Sequence, residues 1–124
     1  MKAVIIAAGI GSRLGHLTEK IPKPLIVVNG ESIIQRQINS YRRVGVDDIL
    51  IITGYQNEKF NFKNVEYVYN PDYAEVEQGY SLLAARKQIN DDVIISFGDI
   101  IFEDKILEQI LKIKNDIVIG VDHN

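Results

Sequence analysis

The run Ala3-Val-Ile-Ile-Ala7, with the glycines that follow it, constrains this chain more than any other stretch. A continuous apolar run with β-branched residues at its centre reads as a strand buried on both faces. The strand empties directly into Ala8-Gly9-Ile10-Gly11-Ser12-Arg13-Leu14. Gly9 and Gly11 leave backbone N–H groups unhindered where the strand ends and allow a ligand to come close. Arg13 and Lys23 add cations nearby in sequence. Free amides and cations, with no bulky side chain between them, suit a phosphate-rich ligand. Gly-x-Gly by itself marks many turns. This loop is not a P-loop, because no Gly-Lys-Ser/Thr follows after four spacers. Nor is it the dinucleotide fingerprint, because Leu14 stands where the third glycine belongs.

Further strand candidates recur along the chain at Ile49–Thr53, Val65–Tyr69, Val93–Phe97 and Ile117–Val121. Most are short and rich in Val and Ile, as in strands covered on both faces. Helical patterns lie between them. Ser32 is placed to cap a helix that presents Ile34, Ile38 and Tyr41 on one face and ends near Gly45. Asp104 is placed to cap another, with Ile106, Leu107, Ile110 and Leu111 on one face. A third is expected from about Gly79 to Ile89, and a short strand at Leu25–Val28 precedes an Asn29-Gly30 turn. Alternating β and α elements predict an α/β fold: an open, mostly parallel, Rossmann-like sheet flanked by helices, with right-handed crossovers. Ligands of such sheets bind at the carboxyl ends of the strands. Residues 9–13, 53–55 and 98–99 all belong to that edge.

A length of 124 residues predicts one domain with a substantial core. There is no cysteine, so disulfides and thiolate metal sites are excluded, and His16 and His123 stand too far apart in sequence to suggest zinc. No signal peptide is read at the N-terminus and no run reaches membrane-spanning length, so a cytoplasmic protein with no membrane partner is expected. Charge is uneven: residues 1–43 carry seven Lys/Arg against two Asp/Glu, and residues 44–124 carry seven against fifteen. The basic part holds the glycine loop, which fits an anionic ligand. The net charge of −3 and the absence of a basic stripe interleaved with aromatics argue against nucleic acid.

Asp99 ends the apolar run Val93–Phe97 after Gly98. A carboxylate at that place suits a Mg²⁺ ion that also holds substrate phosphates, and it equally suits a turn. Pro71 and Gly79 bracket a segment in which a helix start at Gly79, with the Ser81 hydroxyl, offers polar groups to a base or phosphate, or Ser81 caps its own helix. Tyr55 follows another strand end and either flanks a ligand or packs. Tyr73 and Tyr80 are candidates for enclosing a cationic acceptor.

The extended pattern Ala-Ala-Gly-x-Gly-x-Arg-Leu, followed by Pro22-Lys23-Pro24-Leu25, resembles the signature of the sugar-phosphate nucleotidyltransferase superfamily. The segments Val44–Tyr55, Ile94–Phe102 and Ile117–Asp122 look most like the phosphocholine and 2-aminoethylphosphonate cytidylyltransferases. The resemblance implies Mg²⁺-dependent transfer of a nucleotidyl group from CTP to a small phosphate or phosphonate acceptor, with release of pyrophosphate. A sugar-1-phosphate or inositol-1-phosphate acceptor is the alternative within that class. It implies Arg13 and Lys23 as catalytic cations and Asp99 as the metal ligand. Ala7, Ala8, Gly9, Gly11, Ser12, Arg13, Lys23, Tyr55, Gln78, Gly79 and Ser81 would bind the nucleotide. The family often has Asn-Asn or Thr-Asn before this serine, where this chain has Glu77 to Tyr80. Members are longer, so residues 1–124 are expected to be the nucleotide-binding part of such a domain, without the acceptor-binding part and a second acidic metal ligand. A homo-oligomer, or a partner chain that completes the sheet, stays open. So does a module that binds nucleotide without chemistry, although retention of Arg13, Lys23 and Asp99 together argues against it.

Overall fold

The alternation of residues in the first strand decides the layers. In a computed structural model that describes residues 1–9, 21–90, 92–116, 118 and 120, β1 spans Lys2–Ala7. Ala3, Ile5 and Ala7 face one side and Val4 and Ile6 the other, and all are buried. A strand buried on both faces needs neighbours at both edges, and β1 has them. It pairs in parallel with β4 (Asp48–Thr53), from Lys2 opposite Asp48 to Ala7 opposite Thr53. On its other edge it pairs in parallel with β6 (Val93–Phe97), from Lys2 opposite Val93 to Ile6 opposite Phe97. β5 (Glu66–Tyr69) lies in parallel outside β4. Among the described residues the order is β5-β4-β1-β6. The order reverses its direction between β1 and β6, and in open parallel sheets ligands bind at such a reversal.

The helix α1 (Ile33–Arg43) covers the first face with Ile34, Ile38 and Tyr41. Its capping follows the sequence expectation. The Ser32 hydroxyl accepts from the Gln35 N–H at 3.1 Å, and Gly45 ends the helix at φ +88°. The Asn29-Gly30 turn joins β2 (Val27–Val28) to β3 (Glu31–Ser32) as a hairpin. Asn29 and Gly30 both have positive φ, as a two-residue turn of this kind requires. α2 (Asp104–Lys112) adds Leu107 to the same layer as α1.

Three expectations are corrected. The segment expected as a helix over Gly79–Ile89 is a 3-10 stretch, Gln78–Ala85. Its winding repeats every three residues, which sets Leu82 and Ala85 together against Val4, Ile6, Leu50 and Ile52 on the second face. Asp104 does not cap α2. Glu103 occupies that position without a side-chain cap bond, and Asp104 instead takes a two-pronged ion pair from Arg43 at 2.5 and 3.0 Å. An arginine fork offers two donors to one carboxylate, a stronger bond than a single backbone cap. Burial on both faces fails for β6, where Ile95 and Phe97 are 44% and 42% exposed, and for the edge strand β5. The strand expected at Ile117–Val121 falls largely outside the described residues. Among the described residues, no helix is long and apolar enough to cross a membrane.

Candidate functional site

Parallel strands deliver their carboxyl ends to one edge, and the loops there are tied to each other by the backbone. The Gly98 N–H donates to Ile6 O at 2.8 Å, the Tyr55 N–H to Ala8 O at 3.2 Å, and the Asn70 N–H to Thr53 O at 2.8 Å. The ends of β1, β4, β5 and β6 therefore form one continuous rim, with Ala7, Ala8 and Gly9 at its centre.

On the β6 side the rim is charged. Pro22 and Pro24 flank Lys23 in a short 3-10 turn, Lys23–Leu25, and proline fixes φ on either side of it. Pro24 seats this turn against Gly98. A Cβ on Gly98 would lie 3.1 Å from the proline ring and 3.2 Å from Ala7 Cβ, so a larger residue would push the turn away. This packing brings the Lys23 ammonium to 3.2 Å from the Asp99 carboxylate, with both side chains partly exposed. Two residues expected to serve separately, one on phosphate and one on a metal, thus meet at the reversal point of the sheet.

Beneath Asp99 lies a polar arrangement that the sequence reading did not single out. Gln37 of α1 is 1% exposed. Its Nε2 donates to Phe97 O and Ile100 O, both at 2.8 Å. Its Oε1 accepts from Ser96 Oγ at 2.7 Å, and Ser96 Oγ accepts from the Tyr41 hydroxyl at 2.8 Å. Burial pushes the Tyr41 hydroxyl up to about 12, although its bond to Ser96 opposes that shift, so it stays a proton donor. A signal was present in the sequence. Gln37 falls among Ile34, Ile38 and Tyr41 on the apolar face, and a polar group buried there must find partners.

On the β4 and β5 side the rim is aromatic and close-packed. A Cβ on Gly54 would stand 2.4 Å from Tyr73 Cβ and 2.9 Å from Ala8 O, so only glycine fits. The Tyr55 and Tyr73 rings sit 6.4 Å apart at 57°. Asn70 is buried, donates to Ser81 Oγ at 3.0 Å and accepts from the Asp72 N–H at 3.0 Å. Ser81 is itself 1% exposed and lies within the 3-10 stretch rather than at its cap. Gly79 lies at the start of that stretch with open space around it, next to Gln78. Tyr80 is exposed, whereas Tyr73 packs beneath Gly54. Gly11, Ser12 and Arg13 lie outside the described residues.

A divalent cation of the Mg²⁺ type takes oxygen ligands and is commonly held by one or two carboxylates together with substrate phosphates. Among the described residues no group of three or more metal-ligating side chains gathers. Asp99 supplies one hard oxygen donor at the rim, which fits a metal that arrives with a phosphate ligand.

Known proteins are similar to this chain in sequence and in fold. The family model of the MobA-like NTP transferase domain matches residues 3–123. A choline-phosphate cytidylyltransferase of Streptococcus pneumoniae is 36% identical over 107 residues, covering 83% of this chain and 47% of that protein. A solved structure of the CTP:phosphocholine cytidylyltransferase of the same organism matches with a TM-score of 0.74 at 37% identity, over 79% of this chain and 44% of that one. A CMP-5'-(3-aminopropyl)phosphonate synthase of Streptomyces rubellomurinus is 32% identical, over 89% of this chain and 19% of that protein. The bifunctional protein GlmU of Methanococcus aeolicus is 39% identical, over 84% of this chain and 26% of that protein. The chain thus spans less than half the length of each of these relatives.

Proposed function

Because the chain belongs to the MobA-like NTP transferase family, we propose that it forms the nucleotide-binding part of a cytidylyltransferase. The reaction joins CTP to a small phosphate or phosphonate acceptor of the phosphocholine or 2-aminoethylphosphonate kind and releases pyrophosphate. The observation that carries this reading is the Lys23–Asp99 pair, 3.2 Å apart at the reversal point of the sheet.

An acceptor oxygen attacks the α-phosphorus in line and the bond to pyrophosphate breaks. The acceptor is already ionised at neutral pH, so no strong general base is required. The protein's task is to hold two anions together and to offset the developing charge. Lys23 and Asp99 neutralise each other at 3.2 Å. When the triphosphate binds, the Lys23 ammonium turns to the α-phosphate and the attacking oxygen, and Asp99 is the carboxylate that would hold a Mg²⁺ ion. That ion would supply Lewis-acid polarisation of the phosphates. Gly9, Gly11 and Ser12 offer backbone donors to the triphosphate beside Ala7 and Ala8, and Arg13 holds its β/γ end. Tyr55, Gln78 and Gly79 form the base side, and Ser81, buried and bonded to Asn70, supports it from within.

The identity to the bifunctional GlmU protein, as high as that to the choline-phosphate enzyme, favours a second reading in the same class. There the acceptor is a sugar-1-phosphate or inositol-1-phosphate. Calorimetric titration of the chain with CTP, UTP, dTTP, ATP and GTP, each with Mg²⁺, tests both. Selective binding of CTP is expected. Preference for another nucleotide moves the assignment to the second reading, and binding of none overturns the donor site.

A further inference from the structure

We propose that Gln37 is a positioning residue for Asp99. Its side-chain amide ties together the two carbonyls that bracket the Gly98-Asp99 turn and so fixes the carboxylate at the rim. This rests on the reading of Asp99 as the metal ligand.

The argument is geometric. Phe97 O and Ile100 O lie on either side of Gly98 and Asp99, and one Nε2 group donates to both at 2.8 Å. An amide nitrogen has two hydrogens, so this donor is fully used. The amide could turn over if nothing held its oxygen, but Ser96 Oγ donates to Oε1 at 2.7 Å and is itself held by the Tyr41 hydroxyl at 2.8 Å. The bonds run in one direction, from Tyr41 to Ser96 to Gln37 to the two carbonyls. Every hydrogen has an acceptor, and a reversed amide would set oxygen against two carbonyl oxygens. Burial removes water as a competing partner. Residues 98–103 belong to no helix or strand, so this support takes over where the β6 ladder stops at Phe97. A metal ligand must be held to within about half an ångström to be effective, and its supporting shell supplies that precision.

The chain is tested by measuring CTP affinity in Mg²⁺ and in EDTA, which gives the metal-dependent increment. Gln37→Met keeps the volume and removes both donors. It is expected to leave affinity in EDTA within about twofold and to abolish most of the increment that Asp99→Asn abolishes. Ser96→Ala, a smaller change that frees the amide to turn, is expected to lose part of it, and it decides the matter if Gln37→Met does not fold. A Gln37 that only stabilises the fold would lower Tm and leave the increment of the folded protein unchanged, and that result overturns the proposal. An increment that survives in Asp99→Asn defeats the metal-ligand reading instead. Gln37 is then judged by the backbone order parameter at Asp99. A fall from about 0.85 toward 0.6 in Gln37→Met or Ser96→Ala supports the positioning role, and an unchanged value overturns it.

Discussion

The two ends of the carboxyl rim are built from opposite materials. At the β1–β6 end an ion pair stands on a buried polar chain, with Lys23 and Asp99 above and Gln37, Ser96 and Tyr41 below. At the β4–β5 end Gly54 is pressed against Tyr73, the Tyr55 and Tyr73 rings incline to each other, and Asn70 bonds Ser81. The difference teaches a division of labour. Charge at the first end can exchange partners at little mechanical cost, because the carbonyls beneath it are tied independently of it. The second end is fixed by shape, since Gly54 and Asn70 cannot move without breaking a tight contact or orphaning a buried amide.

Substitutions that break this division rank themselves. Lys23→Ala is expected to lower pyrophosphate release roughly 10²–10³-fold, the scale of losing one donor to the transition state, with much less change in CTP affinity. Near-normal turnover, measured by coupled pyrophosphate assay, would remove Lys23 from the chemistry. Gly54→Ala comes next, with a loss of about 2–3 kcal/mol in urea unfolding, because its Cβ meets Tyr73 at 2.4 Å and backbone at 2.9 Å. Gly98→Ala, whose nearest contact is 3.1 Å, should cost visibly less, and equal costs would erase the contrast between the two ends. Ser81→Ala leaves the Asn70 amide without its acceptor and is expected to cost about 1–2 kcal/mol in the same measurement.

The smallest effect lies away from the rim, where Arg43 joins α1 to α2. The Arg43 guanidinium holds the Asp104 carboxyl down at about 2, against an ordinary 3.8. The folded value is the lower one, so this stabilisation is present above about pH 4 and is lost as pH falls toward 2. The pair is exposed to water, so the change is slight. Arg43→Ala should flatten the slope of stability against pH in that window, and an unchanged slope would deny the pair any part in it.

How far the sequence foretold all this depends on the range of the forces involved. Strands β1, β4 and β6 could be read because their apolar runs carry their own signature. The Ser32 cap and the Asn29-Gly30 turn were legible for the same reason, since their bonds close within a few residues. Lys23 and Asp99 were each recognisable, but their meeting depends on Pro24 lying against Gly98 from a distant part of the chain. The 3-10 winding of Gln78–Ala85 was hidden because its residues favour a helix, and the packing of Leu82 and Ala85 chooses the tighter one. Asp104 was misread as a cap because no local pattern announces an arginine from another helix. Gln37 was overlooked because an apolar stripe draws attention to its apolar members.

The central place of β1 has a consequence for synthesis. Among the described strands, β1 pairs with two that follow far later in the chain: Lys2 lies opposite Asp48 on one edge and opposite Val93 on the other. At a translation rate of 5–20 residues per second, roughly five to twenty seconds separate the emergence of Ala3–Ala7 from that of its last partner. During that interval this apolar segment, buried on both faces in the fold, is half-sheltered at best. Slow synthesis and crowded ribosomes should therefore tax the yield of this protein more than its equilibrium stability would suggest.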